Sequence, residues 1–227
     1  MAGAGGFADF PSRASVSVMD KGQERKGDYM TNTDICNMAL SFLSKGKISS
    51  IDDNVEEAKQ CKIHYEHCRK MLLRQYPWGF AKRVTKLAVL DEKVSGWNYS
   101  YAYPQQCLAV RYLFNDENAE TKEVDITEFD MAIVSDNQRT LLTDIENAWC
   151  EYIYDVKDVD MFSEEFIEAL ARLLASQMAM VLTGNANIQQ SNYQIYQLMM
   201  EMAKTQNAQE RRIKTEYPES YANARFQ

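Results

Sequence analysis

The chain has 227 residues, enough for one large domain or two small ones with a real core. Hydrophobic residues make up 45% and charged residues 26%, ordinary proportions for a soluble globular protein, and no stretch approaches the roughly 20 apolar residues that span a bilayer. The formal charge of -8 argues against tight capture of nucleic acid, which needs Lys and Arg to replace counterions on phosphates.

The start of the chain lacks the charged opening and apolar run of a secretory signal. Five cysteines, Cys36, Cys61, Cys68, Cys107 and Cys150, are an odd number without a pairing pattern, and read as reduced thiols of a protein made in a cytoplasm. Residues 1–29 are rich in Gly, Ser and Ala and balance four acids (Asp9, Asp20, Glu24, Asp28) against four bases (Arg13, Lys21, Arg25, Lys26). They read as an extended arm or leader.

From Met30 the pattern becomes regular. A first helix is expected from Thr33 to Leu43, capped by Asn32 or Thr33, with Ile35, Met38, Ala39 and Phe42 as its apolar stripe and Gly46 just beyond its end. A second is expected from Asn54 to Tyr76. Asn54 and Glu57 have capping-box spacing, and Pro77 stops the helix. On its wheel Ala58, Cys61, Tyr65, Cys68 and Leu72 share one sector, which predicts a buried face.

The period then changes. Trp97, Tyr99, Tyr101 and Tyr103 alternate with small or polar residues, the pattern of a half-buried strand. Val84–Leu90, Cys107–Phe114, Glu123–Ile126, Met131–Val134, Arg139–Thr143 and Trp149–Val156 are further strand candidates. Asn115 to Asn118 and Ser135 to Asn137 supply turns between them. After an acidic connector a third helix is expected, capped at Ser163, with Glu164 and Glu165 at its positive end. Its stripe is Phe166, Leu170, Leu173, Gln177 and Val181, broadened by Ile167, Leu174 and Met178. Beyond Thr183-Gly184-Asn185 a last helix carries Tyr193, Tyr196, Met200 and Ala203 on one face.

The fold class that follows is α+β and mainly helical. An antiparallel helix bundle (30–82 and 157–212) carries a β-rich insertion (83–156), with an extended tail at 213–227.

Reactive constellations are thin. Cys61 and Cys68 lie seven residues apart, about 10 Å along a helix, too far for a single zinc. His64 and His67 are the only histidines, and Cys68 beside them sits on the predicted core face. The acid runs Asp52-Asp53, Asp158 to Asp160 and Glu164-Glu165 have turn and helix-start spacing rather than that of paired catalytic carboxylates. Lys82, Arg83 and Lys86 form a basic cluster that reads as a solvated patch, with an acidic neighbour or DNA as the other possible faces. No catalytic residue, cofactor or metal is expected.

Five segments carry a resemblance, in order. They are Asp34 to Leu40, with its Asn-x-Ala-Leu run; Ile51-Asp52-Asp53 through Ala58; Leu73 to Ala81 (Leu-Arg-Gln-Tyr-Pro-Trp-Gly-Phe-Ala); Tyr101 to Pro104 with Cys107-Leu108; and Tyr152-Ile153-Tyr154-Asp155-Val156 with the Asp-rich link, the Phe-led helix and Thr183-Gly184. Each alone is weak, but together they span nearly 200 residues. The chain resembles the head-to-tail adaptors of short-tailed phages, the tail tubular protein A family. Residues 1–29 depart from that pattern.

The resemblance implies a structural virion protein, assembled in the host cytoplasm. Such adaptors form a twelve-fold ring beneath the portal, continue the DNA channel without sequence-specific binding, and present a platform for the tail nozzle and fibres. It implies a homo-oligomer with no membrane association. An acidic lining would let DNA slide by like-charge repulsion. Phe166, Leu170, Leu173, Tyr193 and Tyr196 are then the expected subunit-interface residues, and Tyr221, Asn223, Arg225 and Phe226 the expected portal-binding ones. Two competing readings are an adaptor with accessory peptidoglycan hydrolysis and a free-standing helical interaction module.

Overall fold

A computed structural model describes residues 29–115, 128–134 and 137–210, the last four of these by backbone alone. The leader up to residue 28, the strand expected at Glu123–Ile126, the turn residues Asp116 to Asn118 and Ser135-Asp136, and the tail at 213–227 with Tyr221, Asn223, Arg225 and Phe226 lie outside the described residues.

Helix α1 spans Asn32–Phe42. Its cap is Thr31, one or two residues earlier than expected, because Asp34 stands three residues on and completes a capping box with it. The turn after the helix is made by Ser44, at φ 55°, and not by Gly46. Asn37 reaches back from α1 to hold the following loop, accepting from the Ile48 N–H (2.9 Å) and donating to the Ile48 carbonyl (3.0 Å).

Helix α2 spans Glu56–Gln75. The capping box expected at Asn54 does not form; the N-cap is Val55, which makes no side-chain cap hydrogen bond. Asp53 serves the loop before it instead, accepting from the N–H groups of Ser49 and Ser50. The helix ends where Pro77 forces Tyr76 into extended backbone. The predicted face, Ala58, Cys61, Tyr65, Cys68 and Leu72, is buried throughout.

Helices α3 (Glu164–Thr183) and α4 (Ala186–Glu210) are joined by two residues, so they pair as a hairpin. Ser163 caps α3, and Gly184 at φ 66° ends it in the left-handed conformation that glycine tolerates. α3 is the central element of the bundle, packing on α1, α2 and α4, whereas α1 and α2 meet only slightly. Its buried face comprises Phe166, Ile167, Leu170, Leu173, Leu174 and Met178, while Gln177 and Val181 from the expected stripe face outward. By length and composition α3 is apolar enough to cross a membrane, which corrects the expectation that no such stretch exists; most of its apolar side chains occupy the protein core, with Met180 and Val181 exposed.

Between the helical pairs lie two antiparallel sheets. The first has order β1 (Lys82–Lys86), β7 (Trp149–Tyr154), β4 (Cys107–Phe114); the second has order β2 (Val89–Leu90), β3 (Tyr99–Ala102), β6 (Arg139–Thr143), β5 (Phe129–Ile133). β4 and β6 have the expected bounds, and β5 begins two residues before the expected Met131. The single strand expected at Val84–Leu90 is two, because buried Leu87 turns the corner from one sheet to the other and its N–H bonds the Ala148 carbonyl. The fold is thus α+β with predominant helix, as its changes of period predict.

Two cores result. The larger lies among the four helices and takes in Ile153 and Val156; the smaller gathers Leu87, Tyr101, Leu113, Leu141, Cys150 and Tyr152 between the sheets.

Candidate assembly surfaces

The residues expected at subunit interfaces fall into two groups. Phe166, Leu170 and Leu173 have no exposed surface, and Tyr196 is 3% exposed. A side chain without surface cannot touch a second copy, so the first three are corrected to the protomer's own core, and Tyr196 belongs to that core with only an edge at the surface. The wide apolar face of α3 is wide because three helices cover it. Tyr193, 44% exposed, stands on the outside beside Tyr196, in a groove with Gln75, Gln197 and Lys204.

The segments that carry the family resemblance sit at structural joints. Trp78 is buried, donates its indole N–H to the Leu72 carbonyl (3.1 Å) and packs edge-on against Phe166; Phe80 packs on Phe162 and Phe166. The Tyr-Pro-Trp-Gly-Phe run therefore locks the exit of α2 to the entry of α3. Tyr101, fully buried, donates to the Ile145 carbonyl (2.8 Å) and accepts from the Ala148 N–H (3.3 Å). Its place is the core between the sheets.

Asp155 marks the joint between the sheets and the bundle. Its Oδ1 lies 2.7 Å from Nη1 of Arg69 on α2, an ion pair outside hydrogen-bond angles. The Arg69 side chain is wholly buried; it also donates to the Val156 carbonyl and to Glu66 (2.7 Å). Burial works against its charge, but the hydrogen bond to Glu66 and the negative charges of Glu66 and Asp155 prevail and hold its pKa above the ordinary arginine value. Arg69 escaped the sequence reading. The only hint was a basic residue beside Cys68, on the edge of the apolar sector.

The reactive groups are muted in the same way. Burial pushes the Cys68 and Cys150 thiols up to about 12, leaving almost no thiolate at neutral pH. Burial and the neighbouring His67 lower the pKa of His64. No group of three potential metal ligands converges among the described residues. The acid runs act locally. Asp158 caps the short turn at Val159–Met161, Asp52 pairs with Lys62 at 2.7 Å, and Glu164 and Glu165 open α3. In the basic cluster on β1, Arg83 lies over the Tyr154 ring at 5.3 Å.

What remains on the outside is charge and apolar surface, unevenly distributed. Residues 83–156 contain six Lys/Arg and fourteen Asp/Glu, so this one segment accounts for the whole charge of -8. The outer face of α2 has the opposite character, with Lys59, Lys70 and Arg74 exposed around Ile63, which is 63% exposed. A shallow groove of about 450 Å³ runs along it, lined by His67, Lys70, Met71, Arg74 and Gln75. On the second sheet, β5 is an outer strand among the described residues, with Met131 58% and Ile133 66% exposed.

Comparison with known protein families and with curated proteins finds no match.

Proposed function

We propose that the chain is a head-to-tail adaptor of a short-tailed phage, a structural subunit of a ring between portal and tail nozzle. The reading is carried by five family-like segments in the right order over nearly 200 residues. Asn37, Asp53, Trp78, Tyr101 and Asp155, one from each, each hold a joint between elements, so the resemblance falls on residues that define this fold. In this reading the ring continues the DNA channel and supports the tail fibres. The tail at 213–227 reaches the portal, with Tyr221, Asn223, Arg225 and Phe226 as its anchors, because an arm that orders on its partner covers much surface with few residues.

Size-exclusion chromatography with light scattering, on the full chain alone and with portal, tests the assignment. A ring or a portal complex is the expected outcome, and deletion of residues 217–227 is expected to leave a folded protein that no longer binds portal. A chain that stays monomeric with portal present overturns the adaptor reading; retained portal binding by the deletion overturns the role of the tail.

A further inference from the structure

We infer that the seam between α2 and α4 is a docking groove for the chain's own tail, and that the segment from Thr215 to Ala224 lies there until a partner lifts it out. The groove is built from two hollows. One, of about 450 Å³, runs beside Lys70, Met71 and Arg74 of α2; the other, of about 480 Å³, runs beside Tyr193, Met200 and Lys204 of α4. Gln75 lines both, so they form one continuous trough. Its amide oxygen accepts from the Tyr196 hydroxyl, which fixes the floor where the two meet.

The lining has a definite chemistry. Met71 is half-buried, Met200 is buried and Tyr193 is exposed, which gives an apolar floor with an aromatic wall. The titratable groups that face it, besides the two tyrosines, are His67, Lys70 and Arg74 from α2 and Glu201 and Lys204 from α4. Glu201 is tied to Lys204 at 2.7 Å. Lys70 stands 3.9 Å from Asp155, and Arg74 makes no ion pair among the described residues. Such a surface favours a segment that brings carboxylates and aromatic rings together, because the cations attract both.

The tail supplies those groups within reach. Thr215 to Ala224 carries Glu216, Tyr217, Glu219 and Tyr221 and no base; the bases of the tail, Arg211, Arg212, Lys214 and Arg225, lie on either side of it. Pro218 favours extended backbone at Tyr217, the form that a shallow groove accepts. α4 ends at Glu210, six residues past Lys204, or about 9 Å along the axis. The six residues from there to Glu216 span up to about 20 Å, enough to turn back to Lys204. Glu216 to Tyr221 is then about 17 Å of extended chain, and the groove from Lys204 to Tyr193 is about 16 Å long. In the adaptor reading this holds the portal arm against its own subunit, and portal must displace it. The docking itself stands without that reading.

Carbodiimide cross-linking of the unmodified full chain is expected to join Glu216 or Glu219 to Lys70 or Lys204 of the same molecule, with a mixture of light and heavy isotope-labelled chains separating links within a copy from links between copies. Amide hydrogen exchange gives a second reading. Residues 216–221 are expected to exchange about tenfold more slowly in the full chain than in the Lys70→Glu, Arg74→Glu variant, whose circular dichroism should be unchanged. Adding Glu216→Lys and Glu219→Lys to that variant is expected to restore the protection. Equal exchange in the two chains, or glutamates that link elsewhere or not at all, overturns the inference. Links found only between copies overturn it too, and give the groove to a neighbour's tail. An arm that is free about one-tenth of the time binds its partner about tenfold more weakly than one always free, so the groove variant is expected to bind portal about tenfold more tightly. Weaker binding would make the groove a portal contact and overturn the inference. A docked tail on a chain that never binds portal supports the inference and overturns the adaptor reading.

Discussion

The Arg69–Asp155 pair shows how much one joint can carry. Both charges are withdrawn from water, and Arg69 completely. Forming such a pair gains little net stability, because desolvation offsets attraction, but removing one partner strands the other. Glu66 alone cannot compensate, since its own side chain is 54% exposed. Asp155→Ala is therefore expected to destabilise the protein by about 3 to 5 kcal/mol, read as a lowered urea midpoint. A change under 1 kcal/mol would mean that Arg69 is satisfied without it. The cost should far exceed that of Asp52→Ala, whose partner Lys62 is exposed and whose pair sits in open solvent.

At the scale of elements, α1 begins with a reciprocal cap. Asp34 accepts from the Thr31 hydroxyl (2.6 Å) and N–H (2.8 Å), and these bonds lower its pKa below the ordinary carboxylate value. A depressed folded pKa contributes stability that is present above the unfolded value of about 3.9 and lost as pH falls through the folded value. Asp34→Ala is thus expected to cost about 1 kcal/mol at pH 7 and progressively less below about pH 4. Denaturant unfolding of both proteins across that range would show it; a pH-independent difference would remove the carboxylate from the account. The cap also shows what sequence can tell. Periodicity located α1 because Ile35 and Ala39 must face the core, but three polar residues in a row, Thr31, Asn32 and Thr33, compete for the cap, and only the acid three positions on selects among them. Likewise the buried face of α2 was legible from its spacing. The corner at Leu87 was not, because an apolar residue inside a strand-like run looks the same whether the chain continues or changes sheet. The interface residues were misjudged for a similar reason. Width of an apolar stripe counts the elements that cover it, and cannot distinguish helices of the same chain from those of a neighbour.

At the scale of the whole molecule, β7 decides whether the bundle and the sheets are one cooperative unit. It is the middle strand of its sheet, and its alternation divides it between the two cores: Cys150 and Tyr152 enter the smaller, Ile153 the larger, and Tyr154 packs against both. The next residue, Asp155, is anchored to α2. Loss of β7 would uncover the helices and break up the sheet β1-β7-β4 together, so neither part keeps its core when the other opens. Helical circular dichroism and fluorescence from Trp78, Trp97 and Trp149 are therefore expected to follow one thermal transition with one midpoint. Ile153→Ala is expected to lower both signals' midpoint equally, by several degrees, since a buried Ile→Ala change costs about 2 to 5 kcal/mol and each kcal/mol shifts a domain of this size by about 2 to 4 °C. Two separated midpoints, or a mutation that moves only one of them, would show that the helical and sheet parts unfold independently. In a ring that distinction has a consequence. In the proposed ring, a protomer rigid through β7 passes a load on its helical part to its sheet part, whereas parts that unfold independently would not.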